Sequence, residues 1–507
     1  MYRDCYIIDC IEKIDQKIKI AGWVNKKRDH GGLLFIDLRD HTGIIQIVCT
    51  SDMDKIPTES VIKVEGKIKN REDNQINQNI STGFIELVCE KYEILSKSSP
   101  LPFEINNNIN DELKIKHRNL YLRSEKMQRN IRFRAEFIQF LRKKMIDMKF
   151  CEVQTPLITS SSPEGATDFV IPSRLHPGMY YALPQAPQIF KQLLMTSCFD
   201  KYFQIAPCFR DEDARSDRCY GEFYQLDCEM SFVTQDEVLN VITPLISDFI
   251  FHFKKVRPTI SRMTYEYSME KYASDKPDLR NPLEITNYCE IFKNSEMDLF
   301  RNQIIKGNVV KGIKVPANFG KSPLNNSSCK TFLDQIDRLH KFKTAYIIKQ
   351  EGEIKGPIAK FVDNNLIDDN EIIFFVCDTL ENTCKKLDII RNFLAEFTHY
   401  ELNPQDFRLI EIVDFPMFEQ DEKSKTGWGF KHNPFSKPLN FSEEIEDLSL
   451  VKANQYDLVL NGVEILSGSI RNTDVNTIIK CFEKVGYAES EVRQKFNSII
   501  SGFSYGV

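Results

Sequence analysis

The sequence has no uninterrupted apolar stretch near the roughly 18 residues that a membrane-spanning helix needs, which argues against a helical span. Its opening residues, Met1-Tyr2-Arg3-Asp4-Cys5, lack the apolar centre of a secretory leader. Positive charge is not in excess: 67 Lys and Arg against 73 Asp and Glu leave a net charge of -6. The chain is therefore no polycation, and a polyanion would have to meet a locally basic face. None of the 14 cysteines stands in a Cys-x-x-Cys pair, so neither a zinc motif nor a dithiol motif is indicated. With no export signal they read as reduced thiols of a cytoplasmic protein, mostly core filler.

What is there suits a multidomain globular enzyme. The 507 residues are 42% hydrophobic and 28% charged, enough for two to four domains with real cores. Residues 18–95 alternate polar and apolar in short runs: Lys17–Val24, Leu33–Leu38, Ile44–Val48, Val61–Ile68 and Phe84–Val88. Five strands in so short a stretch predict a small closed barrel of the OB type. Ser96–Asn110 is polar and contains prolines, and reads as a linker. Apolar residues near helical spacing predict a long helix over about Glu125–Met148. A second helix follows Pro187, and Thr234-x-x-Glu237 is a capping box that opens a third. Mixed strands and helices from about Asp278 to Ile410 read as an inserted domain, after which a strand-rich pattern is expected from Glu411 to Val507.

The densest chemistry lies in Phe209-Arg210-Asp211-Glu212-Asp213, followed by Arg218 and Glu222-Phe223-Tyr224-Gln225-Leu226-Asp227. Cations and acids between two strand-like segments can hold a nucleotide. Arg210 can clamp a phosphate through two donors, and Glu212 can accept from an adenine amine or serve magnesium. On charge alone a salt-bridged surface hairpin is the commoner outcome.

The order of further words decides the matter. Phe150-Cys151-Glu152-Val153-Gln154-Thr155-Pro156-Leu157 resembles motif 1 of the class II aminoacyl-tRNA synthetases, and Phe209–Asp227 resembles their motif 2. Ser162-Pro163-Glu164-Gly165-Ala166, Tyr181–Gln188, Phe190–Met195, Ser274–Pro282 and Asn461-Gly462-Val463-Glu464 are similar to words of the bacterial aspartyl-tRNA synthetases, in their alphaproteobacterial form. The resemblance runs essentially from end to end.

That resemblance implies an aspartate–tRNA ligase: ATP as substrate, magnesium, tRNA-Asp as partner and a homodimer, with no membrane association. The fold implied is an α+β multidomain one. It comprises an OB-fold anticodon-binding domain (1–100), a hinge (101–129), an antiparallel-sheet catalytic domain in two parts (130–281 and 411–507) and an inserted α+β domain (282–410). Lys191 and Arg471 would grip the aspartate side-chain carboxylate, since an amide cannot compensate the desolvation of two cations. Glu164 would meet the substrate ammonium, with Gln188, Asp227 and His432 completing the amino-acid pocket. Arg210 and Glu212 would be the catalytic pair, with Asp211 beside them on ATP and Glu464 on ATP or magnesium. Taken singly, Lys191 reads as a surface lysine beside apolar Leu193-Leu194 and His432 as a structural loop histidine.

In the barrel, Gly22-Trp23-Val24-x-x-x-Arg28-Asp29 and Phe35–Asp40 resemble the family's anticodon-binding domain. Phe35 would stack a splayed base and Arg28 and Gln46 would read base edges, although by composition alone Phe35 reads as barrel core. His30 matches enzymes that accept both tRNA-Asp and tRNA-Asn, while Asn74, at the second position tied to that choice, is not the usual marker. Acceptance of tRNA-Asn implies an amidotransferase downstream.

Four departures stand out, one of them Met179 in place of a usual lysine after His176-Pro177-Gly178. Thr167 replaces an arginine before Asp168. Leu466 replaces a small residue before Ser467-Gly468 and is expected to crowd the substrate pocket. Phe503–Val507 matches the approach to motif 3, beyond which the sequence offers no residue for that motif's arginine. A hydrophobic face is therefore expected beside the catalytic sheet. The alternative reading is a tRNA-binding paralogue impaired in activation.

Overall fold

The computed structural model describes residues 1–31, 33–161, 165–212, 221–422 and 424–506, with the side chain of His30 left out. It divides into two compact units, Met1–Ala135 and Glu136–Val507.

The first unit is built on a closed barrel of β1 (Lys17–His30), β2 (Leu33–Arg39), β3 (Ile44–Cys49), β4 (Val61–Asn70) and β5 (Ile85–Ser96). Alternation along each strand sends Ile18, Ile20, Leu34, Ile36, Leu38, Ile45, Ile47, Ile62, Val64, Ile85 and Leu87 into one core. Closure brings backbones close together at two glycines. A Cβ on Gly22 would lie 2.4 Å from the Arg39 carbonyl oxygen, and one on Gly66 would lie 2.1 Å from that of Val88. The five strands expected from alternation are the five found.

A long helix, α1 (Glu125–Asp147), carries the boundary between the units. In the second unit, β6 (Cys151–Glu152), α2 (Gln188–Thr196), β7 (Lys201–Phe209) and β8 (Glu222–Met230) come first. Strands β8, β7 and β6 form one sheet, with the β7–β8 pairing antiparallel from Lys201↔Met230 to Phe209↔Glu222. Helix α3 (Gln235–Lys254) starts at the expected capping box, in which the Thr234 side chain and Glu237 satisfy each other's backbone amides. A second sheet runs β9 (Thr259–Thr264), β15 (Arg408–Pro416), β16 (Lys452–Leu460) and β17 (Val463–Ser469).

Between β9 and β15 the chain makes a sheet of its own. Its strands are β10 (Ile285–Asn287), β11 (Val309–Pro316), β12 (Ala345–Gln350), β13 (Glu353–Lys355) and β14 (Glu371–Asp378), in the order β10-β11-β14-β12-β13. Helices α4 (Asn326–His340) and α5 (Leu380–Phe397) cover one face through Phe332, Ile336, Leu387, Ile390 and Leu394. After β17 the strand pattern expected to Val507 gives way to three helices, α6 (Val475–Lys484), α7 (Glu489–Lys495) and α8 (Asn497–Phe503). They bury Ile478, Ile479, Phe482, Val492, Phe496, Ile499 and Phe503 together. Apolar residues three and four apart in Ile478–Phe482 carried that signal.

Candidate active site

Strands β8 and β17 are both edges of their sheets, and a cavity of about 500 Å³ opens between them. Helix α2 runs alongside, because its residues Lys191 and Gln192 are buried against β7 and β8. Alternation on β8 puts Asp227 and Glu229 on one face while Leu226, Cys228 and Met230 pack on the other. Lys191 Nζ donates to Asp227 Oδ1 at 2.6 Å and lies 3.3 Å from Glu229 Oε2. Arg471, just past β17, donates from Nε to Glu229 Oε1 at 2.8 Å and from Nη2 to Oε2 at 3.3 Å. Its Nη1 holds Ser469 Oγ at 2.9 Å and its Nη2 reaches Gln188 Oε1 at 3.4 Å.

Two cations and two carboxylates, all largely buried, thus meet at one pocket. Burial opposes the charge on Lys191, but Asp227 and Glu229 outweigh it and raise its pKa, so it stays an ammonium. Burial likewise opposes ionisation of Glu229, yet Arg471 and Lys191 hold its carboxyl down at about 2. Burial pushes the Asp227 carboxyl up against the pull of Lys191. Among the described residues Lys191 meets two acceptors with its three ammonium donors, and Gln188 Nε2 and Asp227 Oδ2 are buried without a partner. A charged zwitterionic guest can satisfy all three.

Beyond this pocket, β16 and β17 carry a second pair of acids. Asp457 is buried and, among the described residues, its Oδ1 has no hydrogen-bond partner. Burial first, then Glu464 and Asp275, push its carboxyl up to about 8, with Lys276 pulling the other way. A buried carboxylate oxygen with no donor, beside a second carboxylate, is a hard-oxygen donor set that suits magnesium, which takes one or two carboxylates together with substrate phosphates. Among the described residues no group of three or more His, Cys, Asp or Glu has metal-binding geometry.

The motif 2 hairpin is fixed at its neck. Arg210 N–H donates to the Gly221 carbonyl at 2.8 Å, and Asp211 N–H donates to the Thr167 carbonyl at 2.9 Å. The Arg210 guanidinium lies over the Phe223 ring, 5.1 Å from its centroid. Asp211 and Glu212 are exposed. His432 packs edge-on against Phe415 at 5.4 Å. Glu164 and Arg218 lie outside the described residues.

Leu466 pairs with Leu458 and packs with Tyr456, Leu458 and α3 residue Val238. That is the face of β16 opposite Asp457, and the side chain lines the same cavity as Lys191, Asp227, Glu229 and Arg471.

The model for tRNA synthetases class II (D, K and N) matches residues 110–507, and that for an OB-fold nucleic acid binding domain matches residues 18–95. The chain belongs to the class II aminoacyl-tRNA synthetases. It is 44% identical to the aspartate–tRNA(Asp/Asn) ligase of Orientia tsutsugamushi, over 97% of this chain and 86% of that one. With the ligase of the same name from Rickettsia prowazekii it shares 44% identity over 98% and 86%. The fold is shared with a solved aspartyl-tRNA synthetase from Leishmania major at 18% identity (TM-score 0.59, covering 99% of this chain and 88% of that chain). It is shared too with asparaginyl-tRNA synthetase from Pyrococcus horikoshii at 16% identity (TM-score 0.58, covering 98% and 88%).

The barrel of this synthetase presents a polar face. Arg28 and Phe35 are direct cross-strand partners, as are Asp37 and Gln46. Arg28 Nη2 donates to Asp37 Oδ1 at 2.7 Å and to Gln46 Oε1 at 3.1 Å, and Gln46 Nε2 donates to Glu86 at 3.0 Å. Arg71 lies 3.7 Å from Glu86. Phe35 is on the outer face between buried Leu34 and Ile36, so the core reading is excluded. Asn74 is exposed in the turn Asp73–Gln75.

Sequence reading named Lys191, Arg471, Gln188 and Asp227, which the structure places around one cavity, and did not name Glu229, Asp457, Glu86 and Arg71. Glu229 was signalled by its spacing of two from Asp227. Asp457 was signalled by being the lone acid within Tyr456-Asp457-Leu458-Val459-Leu460.

Proposed function

We propose that this synthetase activates L-aspartate with ATP and transfers it to the 3′ end of tRNA-Asp, and of tRNA-Asn as well. The observation that carries the reading is the pair Lys191 and Arg471 converging on one buried carboxylate, Glu229. In that pocket the substrate side-chain carboxylate takes the remaining Lys191 donor and the remaining Arg471 Nη1–H, and Gln188 Nε2 completes it. Asp227 Oδ2 accepts from the substrate ammonium, with Glu164 as a second acceptor, and His432 closes the pocket.

Arg210, steadied over Phe223, neutralises charge between the substrate carboxylate and the α-phosphate as the carboxylate oxygen attacks in line and pyrophosphate leaves. Asp211 and Glu212 lie at the mouth of the hairpin and orient the nucleotide. Asp457 and Glu464 are the residues that would hold magnesium, which when bound supplies charge neutralisation to the phosphates. The tRNA ribose hydroxyl then attacks the carbonyl carbon of the mixed anhydride, the acyl–phosphate bond breaks and AMP leaves. Arg28, Phe35 and Gln46 read the anticodon, supported by Glu86 and Arg71, and His30 and Asn74 set the choice between tRNAs. Acceptance of tRNA-Asn calls for an amidotransferase acting on its product.

We also read residues 282–410 as an inserted domain and the working form as a cytoplasmic homodimer. Exposed Leu157, Ile158, Ile171, Leu175 and Tyr180 support a second copy. Aspartate-dependent ATP–pyrophosphate exchange, with asparagine as control, tests the activity. Exchange with aspartate alone is expected, and equal exchange with asparagine contradicts it.

A further inference from the structure

Among the described residues the segment Ser274–Pro282 pairs with no strand, yet side chains hold its backbone. Arg391, on α5 of the inserted sheet, is fully buried. It spends its guanidinium on three backbone carbonyls of this segment and its exit. Nε donates to Leu283 O at 2.8 Å, and Nη2 donates to Asp278 O at 2.9 Å and to Asn281 O at 2.5 Å. Asn281 Nδ2 returns a bond to the Arg391 carbonyl at 3.0 Å. Inside the turn, Arg280 clasps Asp278. The turn abuts the β16–β17 hairpin, where a Cβ on Gly462 would lie 3.1 Å from Asp278 Cβ. Just ahead of it, Lys276 Nζ reaches Glu464 Oε2 at 2.8 Å.

An arginine taken wholly out of water is costly unless its donors are used, and here they fix a loop, not a core. The ion pair so placed is partly exposed and contributes little stability of its own. What the buried anchor achieves is the position of one ammonium beside Glu464.

We propose that Arg391 is a positioning residue through which the inserted domain holds Lys276 as the resident counter-cation of the Asp457–Glu464 pair, to be displaced when a divalent cation arrives. The inserted domain is therefore coupled to the phosphate-binding end of the active site. This rests on the reading of Asp457 and Glu464 as the cation site.

The test is Mn2+ binding to the full chain without ATP, followed through the paramagnetic signal of free Mn2+. Lys276→Met is expected to bind Mn2+ roughly tenfold more tightly, since one positive charge a few ångströms from the site is gone. Lys276→Arg should keep the parent's affinity. Arg391→Lys, which cannot serve three carbonyls, should tighten binding in the same direction and add nothing in the Lys276→Met background. If that variant does not fold, Asp278→Asn loosens the same turn and should give the same shift. Unchanged affinity in Lys276→Met overturns the proposal, as does an Arg391→Lys or Asp278→Asn shift that adds fully to that of Lys276→Met. Asp457→Asn separates the two claims. If it binds Mn2+ as the parent does, the cation-site reading itself fails. If it abolishes binding while Lys276→Met changes nothing, only the counter-cation role is lost.

Discussion

Glu229 takes both Nε and Nη2 of Arg471, at 2.8 and 3.3 Å, and so ties the edge strand β8 of one sheet to the end of the edge strand β17 of another. Because Lys191 also lies 3.3 Å from Glu229, the two cations are spaced before any substrate arrives. A pocket preorganised in this way loses little on closing around a carboxylate.

The depressed carboxyl of Glu229 links this geometry to stability. Its folded pKa of about 2 lies below the ordinary 4.5. Its contribution, about 3 kcal/mol, is therefore fully present above pH 4.5 and is lost as pH falls towards 2. Denaturant unfolding of the parent and of Glu229→Gln across that window checks this. The parent should lose its advantage over the variant on acidification, and a constant difference would contradict it.

Lys191→Met should keep the fold only at a cost, because it leaves Asp227 and Glu229 with less positive charge in a buried site, a loss of about 3 kcal/mol. Aspartate-dependent exchange should fall by roughly a hundredfold or more in kcat/KM, while the KM for ATP changes little. A fall in ATP binding with aspartate binding intact would place Lys191 at the wrong substrate.

Leu466→Ala separates packing from specificity. The side chain packs with Leu458 and Tyr456 on the α3 face. Truncation should cost about 1–2 kcal/mol of stability for a half-buried leucine and leave the KM for aspartate within about twofold. A marked gain in aspartate affinity would show that the leucine crowds the pocket after all.

Phe35→Ala should weaken tRNA binding by about tenfold or more, the loss expected for one stacked base. It should leave tRNA-free pyrophosphate exchange unchanged. Gln46→Ala should do the same, with an added loss of anticodon discrimination, because its amide also orders Arg28 and Glu86. Filter binding at fixed salt against tRNA-Asp and an anticodon variant measures both.

The barrel was legible because each strand alternates with period two, and a slip of one residue would expose its whole apolar set. Helices α1, α2 and α3 were legible from apolar spacing, from Pro187 and from the Thr234 capping box. The last helices were not. They are short, and Asn497–Phe503 has no capping side chain to mark its start. In the site, Lys191 and Arg471 are 280 positions apart, and only resemblance to a family paired them. Glu229 went unread because a carboxylate looks wrong in an aspartate pocket until it is seen serving as the spacer between two cations. Arg391 went unread because an arginine inside an apolar helix face looks like a solvated residue, whereas its partners are backbone carbonyls that no sequence pattern displays.

The most direct test of carboxylate selection is calorimetric titration of the chain with non-hydrolysable analogues of aspartyl-adenylate and asparaginyl-adenylate. The aspartyl analogue should bind at least roughly a hundredfold more tightly, and the difference should collapse in Lys191→Met. Equal affinities in the parent, or a preference that survives the loss of Lys191, would contradict the account.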